Sequence, residues 1–177
     1  FGPLFRPSLP LSLLKAELAS INIHAKVLYF TIRFAECIGM KLYARISNGQ
    51  PGLTDLLGEF LFSRALYGKS SRFYTEEILR KRNQGEEQFV SEDFIGQLPK
   101  LEDLAENFIQ ECCEQIIHSR PRIIIFSSFL QQQIASLALA KKIKSQAPEV
   151  SILFFGNNCN AVMGAELIQQ FPFITAV

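Results

Sequence analysis

Apolar and polar residues alternate along this chain with two different periods, and the change of period divides it. Near the start, Leu11, Leu14 and Leu18 recur at helical spacing while Lys15 and Glu17 face away. Ser8 stands where a helix cap belongs, and Pro10 is tolerated in a first turn. The next run, "AKVLYFTI" (Ala25 to Ile32), is rich in β-branched and aromatic residues and predicts a buried strand. A helix leading into a buried strand implies a parallel partner strand placed before Phe1.

From Ala35 to about His118 the pattern predicts helices. "RFAECIGMKLYARI", "LTDLLGEFLFSRALYG" and "SSRFYTEEILRKR" are three such segments, and "NQGEEQFVSEDFIGQLPK" predicts a polar, mobile loop. The clearest helix follows Pro99. Its apolar stripe is Leu101, Leu104, Ala105, Phe108, Ile109, Cys112, Ile116 and Ile117, with Glu102, Asp103, Glu106 and Glu114 off it. His118 and Arg120 suit the negative end of that helix, and Pro121 stops it.

Beyond Pro121 the rhythm becomes that of an α/β protein. "RIIIFSSF" is a short continuous apolar run of the kind found in central parallel strands. "QQQIASLALAKKIKSQ" predicts a helix able to lie close on a sheet, "EVSILFFG" a strand, "AVMGAELIQQF" a helix, and "FITAV" the start of another strand. The order β-α-β-α-β predicts an α/β fold with a doubly wound parallel sheet, flavodoxin-like or Rossmann-like, carrying a helical insertion at about 35–118.

In such sheets ligands bind beyond the carboxyl ends of the strands, beside helix amino termini. Three segments are expected to converge there: "FRPSLP" with Ser8, "SSFLQQQ" with Ser127, Ser128 and Gln131, and "GNNCNAVMG" with Gly156, Asn157, Asn158 and Cys159. Gly156 would let backbone approach a ligand, though a glycine-asparagine turn needs no ligand to form and a serine pair also caps helices. The turn is not G-x-G-x-x-G, so no dinucleotide fingerprint is present. Cys159 is a packing residue or a thiol activated by a helix end. His24 and His118 stand alone, and no catalytic triad or metal site is visible.

Composition narrows the classes. The 177 residues are 48% hydrophobic and 20% charged, with a formal net charge of +1, so the chain is globular and has no basic field for nucleic acid. The four cysteines have no paired spacing, and no run of about 18 apolar residues occurs. A reduced, cytoplasmic setting without a membrane partner is expected.

Several stretches together carry a family resemblance: "PSLPLSLLKAEL", "LYFTIRFAECIGMKLYARI", "LLGEFLFSRALYG", "SSFLQQQIASLALAKKIK" and "GNNCNAVMGAELIQQFPFI". Across nearly its whole length the chain resembles the amino-terminal, cobalamin-binding-type domain of radical S-adenosylmethionine enzymes that mature ribosomally made peptides. The resemblance implies cobalamin over the strand ends, held by Ser8, Ser127, Ser128, Gln131, Gly156, Asn157, Asn158 and Cys159. It also implies a precursor peptide as partner, and a radical barrel domain that carries an iron–sulfur cluster and cleaves S-adenosylmethionine. The C-x3-C-x2-C motif of that barrel is absent from these residues, so this segment is not catalytic alone. Phe60 stands where the family usually has tryptophan, Asn157 where it often has a second glycine, and the D-x-H-x-x-G cobalt-ligand motif is missing. A domain of the same type that binds only peptide or partner surfaces is the alternative.

Overall fold

A computed structural model describes residues 1–2, 4–47, 56–69, 76, 92–129 and 131–177. The predicted helix "SSRFYTEEILRKR" and the first part of the predicted polar loop lie outside the described residues, Glu76 apart. The elements in chain order are α1 (Leu9–Ser20), α2 (Phe30–Ile38), α3 (Met40–Ser47), α4 (Leu57–Tyr67), α5 (Glu92–His118), β1 (Ile123–Ser127), α6 (Gln133–Gln146), β2 (Ser151–Phe155), a single 3-10 turn (Asn157–Cys159) and α7 (Ala161–Gln170). The fold is therefore mixed α/β and mostly helical.

The largest correction concerns the sheet. It contains two strands among the described residues, β1 and β2, paired in parallel from Ile123 opposite Ser151 to Ser127 opposite Phe155. The expected doubly wound sheet is not what the described residues form. The predicted strand at "FITAV" reaches only a single parallel bridge, Leu153 to Ala176, supported by Thr175 N–H to Ile152 carbonyl at 2.7 Å. The predicted strand at Ala25–Ile32 is irregular up to Tyr29 and then enters α2. Residues 24–29 find no backbone hydrogen-bond partner among the described residues, and a strand without one is not stable. Phe30, Phe34, Ala35 and Ile38 instead fall on one helical face. Phe30 meets Phe108 edge-on at 6.4 Å, and Phe34 lies 4.9 Å from the rings of both Phe62 and Phe108.

The helical part follows its apolar stripes. Gly39, at φ +87, separates α2 from α3, which the sequence pattern ran together. The stripe of α5 packs inward from Leu101 to Ile117 as expected, but α5 begins before Pro99 rather than after it. Phe94, Ile95 and Leu98 extend the same stripe by two turns, and their burial outweighs the one hydrogen bond that Pro99 cannot donate. Glu102, expected on the outer face, is buried.

α4, α5 and α6 pack against one another. Leu137, Ala138, Leu139, Ala140 and Ile143 are all buried, so the middle of α6 is enclosed on most sides. That enclosure explains its lack of a polar face. On the sheet, Ile152 and Phe154 are fully buried, with Phe126 stacked on Phe154 at 4.9 Å. In contrast, α1 buries none of its residues, and in α7 only Gly164 is buried. Among the described residues no helix is long and apolar enough to cross a membrane.

Candidate functional site

β1 and β2 run side by side, so the turns that follow them emerge together, and this corner is the candidate site. Ser128 follows β1 with its N–H donating to the Phe155 carbonyl at 2.8 Å, extending the ladder past the last strand residue. Its side chain is completely buried. The hydroxyl donates to Gln133 Oε1 and accepts from Asn158 Nδ2 at 3.3 Å. One serine thus joins the end of β1, the start of α6 and the turn after β2.

Gly156 makes the next contact. At φ +119 it occupies backbone space reserved for glycine, and a Cβ there would sit 2.2 Å from the Ser128 carbonyl oxygen. The chain that approaches Gly156 is therefore the protein's own backbone. Asn157 follows, exposed, and Asn158 and Cys159 are half-buried. Burial pushes the Cys159 thiol above its ordinary value, the opposite of an activated thiolate. α7, which packs against this turn, presents Val162 and Met163, 81% and 55% exposed, in its first turn.

Gln131 is engaged with the helical part. Its side-chain oxygen accepts from the Gly58 N–H at 3.1 Å, and its amide nitrogen donates to the Ile46 carbonyl at 3.1 Å. Its own carbonyl accepts from the Phe1 nitrogen at 2.5 Å. A Cβ at Gly58 would meet the Phe1 ring at 2.5 Å and Gln131 Oε1 at 2.7 Å, so any larger residue there would displace these side chains.

The amino terminus of α6, where an anion of a ligand is most readily bound, is filled from within. Gln132 provides no side-chain cap. Glu59 of α4 does so from a distance in sequence: its carboxylate accepts from Gln133 N–H at 3.1 Å and from Ile134 N–H at 2.7 Å. Sequence reasoning missed Glu59 and Gln133. An acidic residue early in α4 carries no local signal that it caps a helix elsewhere in the chain.

Ser8 caps its own helix, accepting from the Leu11 N–H at 3.4 Å, and no hydrogen bond joins it to the corner among the described residues. Ser127, the last residue of β1, is half-buried. Among the eight expected site residues, the structure thus links Ser128, Gly156 and Asn158 directly. Asn157 and Cys159 lie in the same turn, Gln131 is turned to the helices, and Ser8 is held locally.

His24 and His118 are both exposed. Among the described residues no group of three or more His, Cys, Asp or Glu side chains is placed to hold a metal ion. A shallow groove of about 400 Å³ lies elsewhere, between α4, α5 and the second half of α6. Comparison of the chain with protein-family models, with curated proteins and with solved structures finds no match.

Proposed function

We propose that this chain is the cofactor- and substrate-binding domain, of the cobalamin-binding type, of a radical S-adenosylmethionine enzyme that modifies a ribosomally made precursor peptide. The supporting observation is the corner itself. Two parallel strand ends are fixed side by side by Ser128 and Gly156, while Asn157 in the turn after β2, and Val162 and Met163 in the helix that follows it, are left exposed. Exposed amide beside exposed aliphatic surface suits a corrin, whose ring is apolar and whose periphery carries amides. On this reading the residues divide into two sets. Ser128, Gln133, Asn158 and Glu59 hold the corner in shape through the hydrogen bonds they make there, and Gly156 through its close approach to the Ser128 backbone. Ser127, Asn157 and the first turn of α7 would meet the ring. Bound cobalamin would supply a redox-active cobalt centre to the radical half of the enzyme. The chain's own part would be to seat the ring against Ser127, Asn157 and the first turn of α7.

The alternative is a domain of the same enzyme class that binds peptide and partner surfaces without cobalamin. One observation favours it: Glu59 already occupies the α6 terminus, and Gln131 already serves α3 and α4. The visible spectrum of the purified full-length enzyme separates the two. Cobalamin absorbance that copurifies, and is lost in Asn157→Trp or Met163→Glu without a change in melting temperature, supports the first. A colourless enzyme that binds its precursor peptide supports the alternative, and an enzyme that binds neither refutes both.

A further inference from the structure

α2 and α5 are joined by a row of contacts that advances along both helices. Phe30 and Phe34 both meet Phe108. Arg33 lies over the Phe108 ring at 5.8 Å, pairs with Glu111 at 3.2 Å and donates to Gln115. Residues four apart stand one above the other on a helix face. Cys37 is therefore the next position after Arg33 on α2, and Cys112 the next after Phe108 on α5. Helices packed about 8–10 Å apart, each with Cα atoms about 2.3 Å from its axis, bring facing Cα atoms to the about 4.4–6.8 Å that a disulfide spans.

The surroundings of each thiol agree with this placement. Burial pushes the Cys112 thiol up to about 12, the Arg33 guanidinium draws it down, and Glu111 and the Cys37 thiol push it up. Cys113, one residue further on, turns to the other side of α5, where burial raises its thiol and Lys142 of α6 lowers it. Cys112 thus belongs to the α2 interface and Cys113 to the α6 interface. The facing pair is also unequal: Cys37 is exposed, Cys112 is completely buried, and both are free thiols. An oxidant in solution reaches Cys37 first.

We propose that Cys37 and Cys112 form a reversible disulfide across the α2–α5 interface, with Cys37 meeting a peroxide and Cys112 resolving the product. The Cys37 thiolate attacks one peroxide oxygen, the O–O bond breaks, and the departing hydroxide takes up the thiol proton and leaves as water. The Cys112 sulfur then attacks the sulfur of the Cys37 sulfenic acid. The S–S bond forms, the S–O bond breaks, and the hydroxyl leaves with the Cys112 proton as a second water. Two thiols lose two electrons in all, and one peroxide is reduced. Arg33 assists the second step, since its cation beside Cys112 favours the thiolate that forms as the proton leaves. The bond ties α2 to α5, and it rests on no part of the functional assignment above.

The test treats the full-length protein with one equivalent of hydrogen peroxide, blocks the remaining thiols and maps the cysteine peptides by mass. Expected is a peptide pair joining Cys37 to Cys112, two hydrogens lighter than its parts and separated again by dithiothreitol. Cys113→Ala should leave that pair in place. Cys112→Ala should stop the chemistry one step earlier, at a Cys37 sulfenic acid that dimedone captures. In urea the yield of the pair should fall about tenfold or more, since the helices no longer hold the two thiols together. Cys37 joined to Cys113 or to a second chain overturns the proposal, as does Cys37 oxidised to sulfinic acid while Cys112 stays free. A Cys37–Cys112 pair that forms as readily in urea as in the folded protein overturns it too.

Discussion

Replacing Gly156 with alanine puts the geometry of the corner to a direct test. Two independent costs arise. The backbone at φ +119 lies where residues with a Cβ are strained, at about 1–3 kcal/mol. The new methyl would also lie 2.2 Å from the Ser128 carbonyl oxygen and 3.1 Å from both its carbon and its nitrogen. Those are backbone atoms, so no side chain can rotate out of the way. Separating the two turns costs about another 1–3 kcal/mol, as overpacking of a fixed site does. The sum, about 2–6 kcal/mol, is a large part of the roughly 5–15 kcal/mol that holds a typical protein folded. For a chain of this size it corresponds to a fall of about 4–24 °C in melting temperature. Urea unfolding followed by circular dichroism measures it. Gly156→Ala within about 1 kcal/mol of the parent protein would mean that the turns are not locked together, and the division of the corner into holding and binding residues would fail with it. The variant also shows why bulky changes at Gly156 or Ser128 are poor probes of ligand binding: they damage the corner first.

Other expected outcomes follow from single contacts. Ser128→Ala leaves Gln133 Oε1 and Asn158 Nδ2 without their buried partner and should cost about 1–3 kcal/mol by urea unfolding; a neutral result would show that the two amides pair with each other. Glu59→Ala uncovers the first two N–H groups of α6 and should cost about 1–3 kcal/mol, with Glu59→Gln losing less because one acceptor oxygen remains. Thiol labelling in mild alkali should find Cys37, which is exposed, and spare Cys112, whose thiol burial pushes up to about 12, until the protein unfolds. Rapid labelling of Cys112 in the folded protein would contradict its burial against α2.

What the sequence discloses here is periodicity, and what it conceals is partnership. The α5 stripe could be read because eight apolar residues at helical spacing leave no competing period. The strands at Ile123–Ser127 and Ser151–Phe155 could be read because continuous apolar runs bounded by Pro121 and Gly156 are too short for buried helices. The run at Ala25–Ile32 has the same local character, yet it lacks a hydrogen-bonded neighbour among the described residues, and Phe30 packs through a helix instead. Composition does not reveal whether a neighbour exists. Residues 92–100 looked like loop because Gly96 and Pro99 break helices on average. Phe94, Ile95 and Leu98 decide otherwise through contacts that no local window contains. Glu102 is a similar case, placed on the outer face by its charge and inside by the packing of α5. At the site, Ser128, Gly156 and Asn158 were legible as a group because strand ends in parallel sheets converge. Their internal satisfaction was not, since it depends on Gln133 and Glu59.

The clamp between the two parts of the chain gives the "LLGE" stretch a physical meaning. Gly58 donates its N–H to Gln131, and Glu59, the next residue, caps α6. Both therefore act on the loop that leaves β1, one from each side of the same helical turn. A helix that merely covered a sheet would need only apolar residues at these positions, as Leu57 and Phe60 beside them show. The glycine and the glutamate instead fix where the end of β1 lies relative to α4, and through Ser128 where the turn after β2 lies as well. Shape at the corner is therefore coupled to the packing of the helices. A double-mutant cycle measures that coupling. Glu59→Gln and Ser128→Ala act on adjacent N–H and side-chain groups of Gln133, so their costs should fail to add by about 0.5 kcal/mol or more. Strict additivity would show that α4 and the strand ends are held independently, and that the helical part only covers the sheet.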